Sequence, residues 1–201
     1  MQLANLIIAL ILKFGYGGIF LLSAGESCLL PIPSEVILPF AGYLVFKGQM
    51  SFWLAVLASS LGQLLGSIIA YFIGLRFGRS FVLRYGHYFL ISKSRFSSIE
   101  HWFGKYGSVA IFFSRLLPAI RTVASLPAGI AKMPLKSFLL WSSTGIGIWT
   151  ILLVSLGVIL GETWQVIISF INKAQIAIIA AALVILLWEF WKCKNENKTT
   201  A

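Results

Sequence analysis

The sequence predicts an all-α integral membrane protein. Its plan is an inverted repeat, in which a re-entrant helical hairpin plus a transmembrane helix occurs twice, with an extra transmembrane helix at the C-terminus. Three observations carry this reading. Of 201 residues, 59% are hydrophobic and 11% are charged, with a mean hydropathy of +0.92. A soluble domain has about 25% charged residues, and one globular core could not hide this much apolar surface. Long apolar runs alternate with apolar runs broken by proline and charge. The two halves of the chain also match each other. The composition excludes an ordinary soluble enzyme and a disordered chain, and it leaves one membrane domain over 1–201.

Residues 1–12 are apolar but too short to cross a hydrocarbon core of about 30 Å. They read as a helix that lies in the interface or leans on the bundle. Residues 14–46 contain Glu26, Pro31, Pro33, Glu35 and Pro39. A straight spanning helix would not tolerate these in its middle. A re-entrant hairpin would: Gly18 to Leu30 rises about 18–20 Å, the Pro31-Ile32-Pro33 turn reverses the chain, and Ser34 to Phe46 returns. Residues 50–74 are a full apolar span. Its small residues Gly62, Gly66, Ala70, Gly74 and then Gly78 form one stripe, which predicts a very close helix neighbour.

Residues 76–105 carry Arg76, Arg79, Arg84, Lys93, Arg95 and Lys105 against Glu100 alone. Phe96, Ile99, Trp102 and Phe103 share a face, so this linker reads as an amphipathic helix on the cytoplasmic surface. His87 and His101 read as surface residues. Residues 107–133 repeat the broken pattern with Arg115, Pro118, Arg121 and Pro127. Residues 137–161 are the second span, 174–191 the third, and Lys192, Lys194 and Lys198 mark a polar tail.

The formal net charge is +10. In a membrane chain this reports cytoplasmic loops facing anionic lipid rather than a nucleic-acid site. The basic linker and tail therefore lie inside, with only Lys13 and Lys47 outside. Cys28 and Cys193 form no disulfide framework. No residue cluster suggests a metal or cofactor, and no nucleophile–base–acid set suggests an enzyme. Self-association is compatible with the sequence.

Repeat 1 covers about 14–75 and repeat 2 about 106–161. Gly18 precedes Glu26 by eight residues, and Gly107 precedes Arg115 by eight. A proline turn and a second charge follow in each copy, Glu35 and Arg121. Then come Pro39 with Gly42 and Pro127 with Gly129, and Ser51-Phe52 and Ser137-Phe138 open the spans. Gly74 and Gly161 stand near the span ends. One span separates the copies, so they have opposite orientations, as in many transporters that bind ligand near the midplane. The charges invert as well, with two Glu in one copy and two Arg in the other.

Four isolated charges at that depth would cost roughly 10–14 kcal/mol on the insertion scale. The hairpin tips should therefore face each other, with Glu26 and Glu35 near Arg115 and Arg121. Ion pairs that only glue the hairpins together are one reading. Another treats Arg115 and Arg121 as a phosphate receptor and Glu26 or Glu35 as a proton carrier. If the second half-helix starts at Pro118, Arg121 sits in its first turn. A cation is disfavoured there unless an anion visits.

These residues resemble the DedA family, bacterial relatives of VTT-domain membrane proteins. The carboxylate motif is Glu26-SCLL-Pro31-Ile32-Pro33-Ser34-Glu35, and the arginine motif is Phe113-Ser114-Arg115-LL-Pro118-AI-Arg121. The third motif is Gly129-IAK-Met133. The resemblance spans roughly 14–165. It implies facing re-entrant helices, residence in a bacterial cytoplasmic membrane and lipid translocation driven by the proton motive force. Undecaprenyl phosphate is the implied lipid in several bacterial members, and phospholipid scrambling is implied by the eukaryotic relatives. Cysteine labelling tests the topology: positions 85–100 and the tail should react from the cytoplasmic side and 163–172 from outside. Labelling of residue 90 from outside contradicts it.

Overall fold

Apolar runs free of proline extend into long helices, and runs broken by proline stop short. The computed structural model describes residues 2–28, 30, 32–85, 107, 109–117 and 121–163, and every element among them is helical. In order they are α1 (Gln2–Phe14), α2 (Tyr16–Ser27), α3 (Ser34–Phe46), α4 (Phe52–Tyr85), α5 (Val109–Leu116), α6 (Ser125–Ile130) and α7 (Leu135–Ile159). A 3₁₀ turn, Gly161–Thr163, follows. Pro31, Pro118, most of the basic linker with His87 and His101, the 174–191 helix and Cys193 lie outside the described residues.

Gly15, at φ 58°, separates α1 from α2. α1 leans on the bundle through fully buried Ile7 and Ile11. α2 ends at Ser27, three residues short of the Leu30 expected from the sequence. Leu30 precedes a proline, which disfavours helical backbone, and its N–H returns to the Gly25 carbonyl instead. α3 opens after Pro33, whose extended backbone starts a helix well. α4 runs past Arg76 to Tyr85, so the linker begins inside a helix. No proline interrupts Leu75 to Tyr85, and arginine is a good helix former. The apolar stretch Phe52–Arg76 and α7 have 25 residues each, about 37 Å of helix, long enough to cross a bilayer.

Glycines set the helix crossings. A side chain on Gly62 would strike the Phe20 carbonyl of α2, and one on Gly66 would strike the Ala24 carbonyl. Further along α4, Gly74 faces the Leu126 carbonyl of α6, and Gly129 of α6 faces the Tyr71 carbonyl. The small stripe thus serves two short helices in succession. On α7, Gly145 meets the Arg115 side chain of α5, while Gly157 and Gly42 bring α3 against the backbone. The first helix of each short pair therefore packs on the long helix that follows it. The second crosses to the long helix of the other pair. Gly157, not Gly161, plays the part against Pro39 that Gly74 plays against Leu126. The crossing point, rather than the end of the span, fixes that register, and Gly161 faces the Phe46 ring.

Polar and apolar residues are placed as lipid solvation requires. On α4, Ser59, Gln63 and Ser67 are buried, while Trp53, Leu57, Leu61 and Phe72 are exposed. Gly66→Leu and Gly129→Leu should each lower stability by at least about 1–3 kcal/mol, because backbone has no room to retreat. Leu57→Ala, on the outer face, should change little. Thermal unfolding in detergent measures this, and an unchanged midpoint in Gly66→Leu would contradict the packing.

Candidate functional site

Four short helices bring their broken ends together in the middle of the bundle. The last turn of α2 delivers Glu26, whose side chain is 3% exposed. The first turn of α3 delivers Ser34 and Glu35, and a carboxylate suits a helix N-terminus. Glu35 remains 43% exposed at its side chain. Arg121, in the connection between α5 and α6, is buried.

Arg121 Nη2 donates to Glu26 Oε1 at 2.7 Å and to Glu35 Oε1 at 3.0 Å. The Ser34 hydroxyl donates to the same Glu26 oxygen at 2.6 Å. One guanidinium edge therefore ties the second short pair to both helices of the first. Glu26 and Glu35 lie near Arg121, as the sequence leads one to expect, and Arg121 makes both ion pairs.

Arg115 does otherwise. Among the described residues it has no carboxylate partner. Its Nη1 donates to the Arg121 carbonyl at 2.6 Å, and its Nη2 to the hydroxyls of Ser125 at 2.8 Å and Ser142 at 3.2 Å. The expected pairing of Arg115 with a glutamate is thus corrected. Its guanidinium turns instead to the α5–α6 connection, α6 and α7, where a carbonyl and two hydroxyls accept from its two Nη groups. The expected place of Arg121 in a first helical turn is corrected as well. Residues 121–124 form a turn and α6 begins at Ser125, so Arg121 precedes that helix and does not lie in its first turn.

Trp149 of α7 covers Arg121, with the guanidinium carbon 4.8 Å from the ring centroid. The next residue, Thr150, accepts from Gln63 Nε2 at 3.0 Å, which ties α7 to α4. Between these groups lies a small, partly open cavity, lined among others by Glu26, Gln63, Arg115, Arg121, Thr122 and Trp149. Among the described residues, Arg121 Nη1 and Nε, Arg115 Nε and Trp149 Nε1 are buried donors without a partner, and Glu26 Oε2 is an acceptor without one. Donors dominate, and two of the side chains are cationic. The arrangement suits an anion.

The sequence motifs divide between this site and its frame. Pro33 starts α3 and so aims Ser34 and Glu35. Gly129 and Met133 lie away from the cavity. Gly129 abuts the Tyr71 carbonyl, and the Met133 carbonyl accepts from the Tyr71 hydroxyl at 2.6 Å, which fixes α6 on α4. Trp149, Gln63, Thr150, Ser125 and Ser142 escaped the sequence reading. The usable signal was polarity at depth, since a glutamine mid-span points into the bundle and a tryptophan there is away from the interfacial belt.

The VTT domain family model matches residues 32–159. The undecaprenyl phosphate transporter A of Bacillus subtilis (strain 168) is 37% identical over 159 residues, 79% of this chain and 80% of its own. The protein of that name in Staphylococcus aureus (strain NCTC 8325 / PS 47) is 30% identical over 169 residues, covering 82% and 83%. An alkaline phosphatase-like protein of Lactococcus lactis subsp. cremoris (strain MG1363) is 37% identical over 188 residues, covering 91% and 88%. No solved structure matches the chain. With its carboxylate, arginine and Gly-xxx-Met motifs gathered in one helical bundle, the chain belongs to the DedA family of VTT-domain membrane proteins.

Proposed function

We propose that this chain is a flippase for a lipid-linked phosphate, undecaprenyl phosphate by the likeness to the Bacillus and Staphylococcus transporters. One observation carries the proposal. Arg121 is buried and its Nη2 takes both carboxylates, yet Nη1 and Nε keep donors that are unpartnered among the described residues. A guanidinium fork, completed when one carboxylate releases Nη2, suits two phosphate oxygens. Undecaprenyl phosphate is a monoester and can carry one P–OH, which Glu26 Oε2 can accept. A phospholipid diester has no such proton, so the array favours a selective carrier over a general scramblase.

Exchange on Arg121 couples the site to protons. A proton on Glu26 or Glu35 weakens that carboxylate's hold on Arg121 and frees the guanidinium for phosphate. The pairs α2–α3 and α5–α6 act as re-entrant hairpins that enter from opposite faces, and the swapped packing on α4 and α7 supports that inverted arrangement. Each hairpin can then open the shared site to its own side, with the polyprenyl tail left in lipid. The C-terminal tail faces the cytoplasm of a bacterial cell, in one membrane domain that needs no cofactor. The phosphate stays on its lipid, so transport releases no inorganic phosphate.

Liposomes containing undecaprenyl phosphate, assayed for headgroup accessibility with and without a pH gradient, test the proposal. Arg121→Lys should stay folded, because the charge pairs survive, and should lose transport, because the fork is gone. Arg121→Ala should also lose about 3–5 kcal/mol, since it strands buried Glu26. Arg115→Lys should lose stability, because an ammonium cannot reach a carbonyl and two hydroxyls in the same plane. Transport by Arg121→Lys at the wild-type rate would show that the ion pairs only hold the hairpins together.

A further inference from the structure

Trp149 forms a wall of the same cavity, outside every charge and proline motif. Its neighbours Ile148 and Ile151 on α7 are exposed on the outer face. Thr150, bonded to Gln63, fixes the helix at that height. The indole lies over the Arg121 guanidinium at 4.8 Å, and this stacking orders a cation. It also closes one face of the guanidinium. Glu26 and Glu35 occupy Nη2, so the Nη1 and Nε donors, which lie on opposite sides of the guanidinium, are what an incoming anion first meets.

Stacking alone does not need an indole, because a phenyl ring gives the same cover. The indole brings an N–H that is buried without a partner. Such a group is costly in an apolar bundle. It stands among the same unpartnered donors as Arg121 Nη1 and Nε.

We propose that Trp149 is a headgroup-binding residue. Its Nε1–H donates to an oxygen of the phosphate that the Arg121 guanidinium holds, and its ring fixes the guanidinium for that contact. The inference rests on the reading of Arg121 as the phosphate site. It adds a neutral donor on a different helix, so the anion bridges α7 to the α5–α6 connection. That bridge forms only when the headgroup is in place.

Indole ¹⁵N–¹H spectra of the full chain in micelles, titrated with farnesyl phosphate and with farnesol as the uncharged control, test it. The resonance missing from Trp149→Phe should move downfield with farnesyl phosphate and stay still with farnesol. Trp149→Phe should keep its unfolding midpoint, yet need roughly ten- to a hundredfold more farnesyl phosphate for half-saturation, as expected for one hydrogen bond to a charged group. Trp149→His, which restores a ring donor, should recover part of that affinity. The inference alone falls if Arg121→Lys abolishes binding while the Trp149 resonance does not move and Trp149→Phe binds like wild type. If Arg121→Lys binds as well as wild type, the phosphate site is elsewhere and both readings fall. The titration itself is made on the wild-type chain, so instability of a variant does not decide the result.

Discussion

A guanidinium in the middle of an apolar bundle must find partners. An arginine there costs about 2.5–3.5 kcal/mol even on the mildest scale, and its neutral form is out of reach. Arg121 meets this constraint by drawing one carboxylate from the end of α2 and another from the start of α3 onto a single nitrogen. Two helices must therefore end and begin at the same depth, facing a third chain break. The short helices, the proline between Glu26 and Glu35 at the head of α3, and the turn at 121–124 follow from that meeting point.

Close backbone approach keeps the meeting point in register. Gly62 and Gly66 seat α2 on α4, Gly74 and Gly129 seat α6 on α4, and Gly42 and Gly157 seat α3 on α7. Each contact is carbonyl against glycine, so a methyl group at any of them would push a carboxylate or Arg121 out of line. Arg115 serves the same end by a different means. It grips the Arg121 carbonyl and reaches hydroxyls on α6 and α7, which holds the backbone that carries the Arg121 side chain. Arg121 faces the two carboxylates while Arg115 fixes where its backbone stands.

Much of this was legible in the sequence, for identifiable reasons. Charge at depth demands partners, so Glu26, Glu35 and Arg121 could be placed together. Proline spacing gave α3 as Ser34 to Phe46, and the four-residue glycine spacing gave the packed face of α4. Arg115 was assigned a glutamate because sequence shows charge and not geometry. Its two Nη groups can donate to a carbonyl and two serine hydroxyls instead, and serines are too common to signal it. Arg121 was placed in a helix because Pro118 often begins one, whereas the chain turns until Ser125. Trp149 and Gln63 were passed over as members of apolar runs. Their role appears only when α4 and α7 are set side by side and their polar edges point into one cavity.

The central claim is that the lipid phosphate binds the guanidinium of Arg121. Solid-state NMR in bilayers measures this directly, as the ³¹P to guanidinium ¹⁵N separation with undecaprenyl phosphate bound. The account predicts a separation of about 4 Å, set by N–H···O bonding of guanidinium to phosphate, and its loss in Arg121→Lys while the protein stays folded. A phosphate held near other nitrogens, with the same dephasing in wild type and Arg121→Lys, would contradict it.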